Sequence, residues 1–422
     1  MLMKQDRPLE GLLVLDFTRV YSGPYCTMLL ADLGATVLKV ERKGVGDDSR
    51  QFLPLVEGRR ESGYYIYYNR NKKSIELDLK DPAALEVVYR LAERADIVVE
   101  NFAPGVADKL GIGYRQLRER SPRLIYGSIS GFGQTGPYRA KAAYDIVAQA
   151  MGGYMAITGE KGGPPLKLGS SIADAGAGIH MAFALLAAVY YREKTGVGQY
   201  VDVSMLDVVF STMENIVMLH TYGGAEPTRE GNHNKGAAPF NTYPTRDGKY
   251  VCIAVANDAM FARCMQAIGE EGCVGDPRFQ SNLARKNNEA ALDEIVGRWT
   301  RAHDLEVICR IMDGNRVPVG PVREIRELCH DPQLLARDML VTMRHSTEGD
   351  VLMPGSPFKY SETPVNTFRS SPLLGEDTRE ILRDYAGYAE AEIEALYRQG
   401  VIFQSGSPAD GNQKGEEQVY GS

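Results

Sequence analysis

Between residues 12 and 130, short apolar runs alternate with longer mixed stretches. Leu12-Leu13-Val14-Leu15-Asp16-Phe17, Thr36-Val37-Leu38-Lys39-Val40-Glu41, Ile97-Val98-Val99-Glu100 and Leu124-Ile125-Tyr126-Gly127-Ser128-Ile129 have the length and near-continuous apolar character of strands buried on both faces. Residues 27–33, closed by Gly34, and residues 82 to about 94, opened by Asp81-Pro82, read as helices between them. This repetition predicts an α/β fold whose parallel sheet is covered by helices. A second αβ region begins near Gly224. There the turn Thr245-Arg246-Asp247-Gly248 leads into a strand over 250–255, and helices are expected over about 258–268, 288–301 and 305–313. Val317-Pro318-Val319-Gly320-Pro321-Val322 cannot be helical and reads as an extended connector. After Asp331-Pro332 come short strands and two polar helices, ending near Ile402. Residues 404–422 hold almost nothing apolar and are expected to be a disordered tail.

The most informative pattern is Ala173-Asp174-Ala175-Gly176-Ala177-Gly178-Ile179-His180. It opens a helix apolar almost all round, ended by Thr195-Gly196-Val197-Gly198. Such a helix is expected to be buried on most faces. Asp174 falls at its N-terminus, where free N–H groups and the dipole favour a carboxylate by about 0.3–1 kcal/mol. Gly176 and Gly178 strip the first turn of side chains, so another molecule can approach the backbone. A helix-capping aspartate among small packing residues gives the same pattern. The functional reading rests on chemistry: a carboxylate is ionised at neutral pH and attacks without a general base. That suits a chain with only six histidines, of which His180 reads as a core residue and His233 as a loop residue placed to line a site.

Composition changes the picture in what it disfavours. The 422 residues allow two or three domains, and a net charge of −7 argues against nucleic acid as a partner. Six scattered cysteines have no metal-binding spacing, so no metal is expected. The charged first ten residues do not resemble a secretory signal, and the apolar run 181–191 is too short to span a bilayer; the expectation is a cytoplasmic protein without a membrane partner. A dinucleotide-binding reading fails on Arg19-Val20-Tyr21-Ser22-Gly23-Pro24, which is not GxGxxG, although Glu41 stands where a ribose-binding acid would. Arg70, Lys72, Lys73 and Lys80 together offer a place for a polyphosphate.

Several longer tracts carry a resemblance. These are Gly11 to Arg42 with its Gly23-Pro24 and Leu30-Ala31-Asp32-Leu33-Gly34, Asn69 to Lys80, Val99-Glu100-Asn101-Phe102-Ala103-Pro104-Gly105, and Gly131 to Pro137. They continue with Ala173-Asp174, Lys194 to Ser204, Val317 to Val322 and Leu374-Gly375-Glu376-Asp377-Thr378. In order and spacing, from about Leu9 to Ile402, they resemble the family III CoA-transferases. The resemblance implies a large Rossmann-like domain built from both chain ends (1–224 and 335–403), a smaller α/β domain between (225–334), and an interlocked homodimer. It implies acyl-CoA and a small carboxylic acid as substrates, coenzyme A as substrate rather than tightly bound cofactor, and Asp174 as covalent nucleophile. Asp174 would pass through an acyl–aspartyl anhydride and an aspartyl-CoA thioester, with backbone N–H groups near the glycines stabilising oxyanions. CoA contacts carry over to Val20, Tyr21 and Ser22, to Arg42, Leu77 and Lys80, and to Asn101, Phe102, Lys109 and Tyr144. Lys109 stands where relatives often have arginine, and Lys235-Gly236-Ala237-Ala238 replaces the glycine run some relatives place over the nucleophile. The same family contains α-methylacyl-CoA racemases, whose second base is a histidine; here Ala143-Tyr144-Asp145 stands at that point, and tyrosine is a poor base at neutral pH. A catalytically silent CoA-binding protein is the remaining alternative.

Overall fold

The computed structural model describes residues 7–365 and 368–403; the expected disordered tail lies outside them. The chain forms two compact units: one from the residues up to Gly153, Gly169–Glu214 and the chain from Leu335 onward, the other from Tyr154–Leu168 and Asn215–Leu334.

The first unit is built on six parallel strands: β1 (Leu13–Asp16), β2 (Thr36–Arg42), β3 (Lys72–Leu77), β4 (Ile97–Glu100), β5 (Ile125–Ser130) and β6 (Tyr200–Ser204). Their order is β3-β2-β1-β4-β5-β6. This is a doubly wound arrangement in which the connections reverse direction between β1 and β4. A crevice therefore opens beyond the carboxyl ends of those two strands. The helices that matter are α1 (Ser22–Asp32), α2 (Gly63–Tyr68), α3 (Pro82–Ala92), α4 (Val106–Lys109), α5 (Tyr114–Arg120) and α6 (Asp145–Gly152). After the short α7 (Tyr154–Ile157) of the second unit come α8 (Ile172–Thr195) and α9 (Met205–Ser211). One core packs Leu15, Leu38, Val98 and Tyr126 against Val87 and Leu91 of α3, and the returning chain closes it with Ile381, Ile393, Leu396 and Ile402.

Three sequence expectations are corrected here. The first helix begins at Ser22, five residues early, because Pro24 is tolerated in a first turn. Lys72–Leu77, read from its lysines as part of a polyphosphate site, is a strand: Lys72 is buried with its ammonium 3.0 Å from Asp16, and the Ser74 hydroxyl bonds Glu41 at 2.6 Å. The helix α8 is buried along one side only. Ala173, Ala177, Gly178, Met181 and Leu185 face inward, whereas Ile179, His180, Phe183, Tyr190 and Tyr191 are exposed. By length and composition alone its 24 residues would suffice to cross a bilayer.

In the second unit β7 (Phe240–Pro244), β8 (Tyr250–Ala254) and β9 (Val319–Pro321) form an antiparallel sheet, so the extended connector becomes an edge strand. Helices Asp258–Ile268, Glu289–Arg301 and Leu305–Gly314 cover it around Phe261, Val296 and Ile308. His233 lies in this unit, its Nε2 2.6 Å from Asp293. The Gly236 N–H is bound to Asn234, and Ala237 and Ala238 are buried. In the first unit an antiparallel hairpin, β10 (Leu340–His345) and β11 (Gly349–Pro354), precedes the return to the core.

Candidate active site

Beyond the carboxyl ends of β1 and β4 the chain makes two loops that hold each other. The Asn101 side chain accepts from the Arg19 N–H and donates to the Arg19 carbonyl, both at 2.8 Å. Asp16 takes the Thr18 N–H and hydroxyl at 2.8 and 2.6 Å. So anchored, Val20 has φ +68°, an outlier for a β-branched residue, and its N–H reaches Asp47 at 3.1 Å. Such strain persists only where surrounding contacts impose it, and it clusters at working sites.

These loops wall a cleft of about 370 Å³ whose lining includes Arg19, Val20, Tyr21, Ser22, Asn101, Phe102, Arg139, Lys141, Tyr144 and Asp174. Asp174 is the third residue of α8, in its first turn, and the cap position itself is Ser171. Its own helix start is capped from elsewhere. The Asp145 carboxylate, at the head of α6, accepts the N–H of Ala173 at 2.7 Å and of Asp174 at 3.3 Å. The Ala175 N–H is taken by the Ser171 carbonyl. The N–H groups of Ala173, Asp174 and Ala175 are therefore all occupied.

The glycines serve a different purpose from the one the sequence suggests. A Cβ at Gly178 would lie 2.6 Å from the Ser22 carbonyl oxygen, and one at Gly176 2.8 Å from Val208. They admit α1 and α9, not a ligand. That close packing brings Ser22 beside Asp174, where hydrogen bonding to Ser22 favours the ionised carboxylate. Burial raises the Asp174 pKa, the Asp145 charge raises it further, and the Ser22 bonds pull it back; the balance is about 6. Tyr21 and Tyr64 are pushed upward by burial and by the Asp174 charge. With Tyr68 they form a ring cluster, centroids 4.5–6.2 Å apart.

A second cavity of about 220 Å³ adjoins the first, sharing Arg19 and Phe102; Val40, Arg42, Leu77, Leu79 and Lys80 also line it. Asp48 binds both Arg19 and Arg42, at 3.4 and 3.1 Å. The remaining basic residues are committed elsewhere: Arg70 to Asp32, Lys72 to Asp16 and Lys73 to Glu380. Glu41 is buried under Arg50, Tyr65 and Ser74, so it cannot serve a ribose. His180 is exposed, with Nδ1 against the Gly176 carbonyl, and is no core residue. Among the described residues no group of His, Cys, Asp and Glu could hold a metal ion.

A family model described as CoA-transferase family III matches residues 9–378. The chain belongs to this family. The human succinyl-CoA:glutarate CoA-transferase (Homo sapiens) is 35% identical over 95% of this chain and 91% of its own length. The acetyl-CoA:oxalate CoA-transferase of Acetobacter aceti is 40% identical over 91% of this chain and 97% of its own. A CAIB/BAIF family protein from Brucella suis, solved by crystallography, superposes with a TM-score of 0.81 at 36% identity, covering 90% of this chain and all of that one. The protein is thus an enzyme, a family III CoA-transferase. Of the CoA contacts the family implies, Val20, Tyr21, Ser22, Asn101 and Tyr144 fall on the Asp174 cleft; Arg42, Leu77 and Lys80 fall on the smaller cavity, and Phe102 on both. Lys109 is exposed and lines neither. Sequence reasoning missed Asp145, Arg19 and Tyr64. Asp145 reads as an ordinary helix-start residue, and its partners lie 28 and 29 positions away.

Proposed function

We propose that this CoA-transferase moves CoA from an acyl-CoA donor to a small carboxylic acid, with Asp174 as the covalent nucleophile. The observation that carries this reading is a half-buried carboxylate on a cleft that Arg19, Arg139 and Lys141 also line, ion-paired with none of the described residues and destabilised by Asp145. Such a group is ionised above about pH 6 and gains by bonding to carbon. Arg42 and Lys80 supply charge for the phosphates of CoA, Leu77 and Phe102 apolar surface for its base. Its arm then runs past Arg19 and Phe102 to Asp174, which makes the thiol's return effectively unimolecular. The relatives act on succinyl-CoA or acetyl-CoA and on glutarate or oxalate, which supports a dicarboxylic acid as acceptor. The exposed apolar side of α8 supports pairing with a second copy. Racemisation draws no support from the geometry: no histidine lines the cleft, and Tyr144 is 78% exposed at its edge.

Hydroxylamine added during incubation with succinyl-CoA should convert Asp174 to a hydroxamate, found by peptide mass. kcat/KM should fall about tenfold per pH unit below pH 6 as the carboxylate protonates. Asp174→Asn should lose at least about 10³-fold in turnover and form no adduct. Wild-type turnover by that variant, checked against deamidation, sinks the reading.

A further inference from the structure

Asp145 presents a carboxylate to the wrong place for charge balance. It is buried, and its Oδ1 accepts the N–H groups of Ala173 and Asp174 at 2.7 and 3.3 Å. Its Oδ2 accepts from the Gln149 side chain at 2.6 Å, and no cation pairs with it among the described residues. As a cap any polar acceptor would serve, and asparagine caps as well as aspartate. The charge is therefore surplus to the capping role, and one bond from the Asp174 backbone it opposes ionisation of that carboxyl. The other groups that act on Asp174 are Ser22 of α1, Tyr21 beside it and Tyr64 of α2, all uncharged at neutral pH, while the cations Arg19, Arg139 and Lys141 line the same cleft without pairing with it among the described residues.

We propose that Asp145 is a positioning residue whose negative charge drives Asp174 into its covalent forms. The inference rests on Asp174 being the nucleophile. When a carboxylate oxygen of Asp174 bonds to the thioester carbonyl carbon, the carbon–sulfur bond breaks and its electron pair leaves on the CoA thiolate. Residue 174 is then a neutral anhydride. The thiolate sulfur next bonds to the aspartyl carbonyl carbon, the aspartyl carbon–oxygen bond breaks, and the donor acid leaves as its carboxylate. Residue 174 is now a neutral thioester. In both adducts the negative charge has moved to a species that can leave the site, so repulsion from Asp145 is felt by the free enzyme and relieved on acylation. The two N–H bonds hold the backbone of residue 174 in place throughout, so the relief is not spent on movement.

Asp145→Asn keeps the oxygen that accepts both amides and removes the charge, its NH2 group then meeting the Gln149 side chain, whose amide must turn to offer its oxygen; Gln149→Ala, which removes that side-chain partner and leaves the Asp145 charge, is the control that separates loss of the bond from loss of the charge. Both are compared with wild type by intact mass after mixing with succinyl-CoA, and by the pH dependence of kcat/KM. The expected result, in Asp145→Asn alone, is a fall of up to about tenfold in the ratio of aspartyl-CoA adduct to free enzyme, with the acid limb moving down by roughly one pH unit. Adduct occupancy and acid limb both unchanged in Asp145→Asn, with only the melting temperature altered, would show a plain structural cap and overturn the proposal, as would an equal shift in Gln149→Ala. Absence of any adduct in the wild type removes the nucleophile reading itself, and this one with it.

Discussion

Two aspartates touch the same helix and meet opposite surroundings. Asp16 ends β1 fully buried, bonded to the Thr27 hydroxyl of α1 at 2.6 Å, to Thr18, and to the Lys72 ammonium at 3.0 Å. Asp174 lies beside Ser22, the first residue of α1, and its N–H binds Asp145. Burial alone would raise both pKa values. For Asp16 the charges of Lys72 and Lys39 and two threonine hydroxyls outweigh burial, and its carboxyl is held below the ordinary range. For Asp174 a like charge adds to burial, and the value rises to about 6. The sign of the neighbouring charge, not depth, separates a carboxylate that stabilises the fold from one kept reactive at the fold's cost.

The comparison is broken most severely at Asp16. Asp16→Ala leaves the Lys72 ammonium buried with only the Pro24 carbonyl and the Asn69 side chain as partners. An orphaned buried charge costs about 3–5 kcal/mol, so the urea midpoint should fall sharply; a loss under about 1 kcal/mol would mean the network tolerates the missing charge. Asp174→Asn should move stability the other way. Below about pH 4 the carboxyl is protonated in folded and unfolded chains alike, and the variant should match wild type. Between that pH and about 6 the unfolded chain ionises first, so the contribution of residue 174 to wild-type stability falls as pH rises. Above pH 6 the variant should be more stable by about 1–3 kcal/mol, the lower end allowing for partial solvent screening. Equal melting temperatures at pH 4 and pH 8 would show that the site is not electrostatically strained.

What the sequence reveals divides along the same line. Strands β1, β2, β4 and β5 are legible because most of their residues are buried and apolar, with polar side chains such as Asp16, Lys39 and Glu41 too few to break the runs. Strand β3 is not, because Lys72 and Ser74 point into a polar network whose partners Asp16 and Glu41 lie 56 and 33 residues away. Asp174 stands out as an acid at the head of an apolar helix, yet the use of Gly176 and Gly178 is hidden, since the atoms they admit belong to Val208 and Ser22. The outward face of α8 reads as core because Phe183, at 76% exposure, is as apolar as Leu185, which is fully buried. Hydrophobic pattern reports what wants burial, not whether this chain alone supplies it. Asp145 is invisible for the opposite reason: nothing local distinguishes an acid that caps its own helix from one that caps another.

The smallest expected effect tests the same distinction on cations. Lys73 and Lys80 look interchangeable along the chain. In the fold Lys73 holds Glu380 at 2.8 and 2.9 Å, whereas Lys80 is exposed, makes no ion pair among the described residues and lines the cavity with Arg42. If partnered charge serves the fold and unpartnered charge the ligand, Lys80→Met should raise KM for acyl-CoA by about three- to tenfold, the worth of one exposed charge-assisted contact, with kcat unchanged. Lys73→Met should leave KM within about twofold and cost up to about 1 kcal/mol of stability instead. A KM change at Lys73 as large as at Lys80 would mean that bound phosphate feels the summed basic charge of this edge rather than the cavity lining, and the two-cavity assignment of CoA would fall with it.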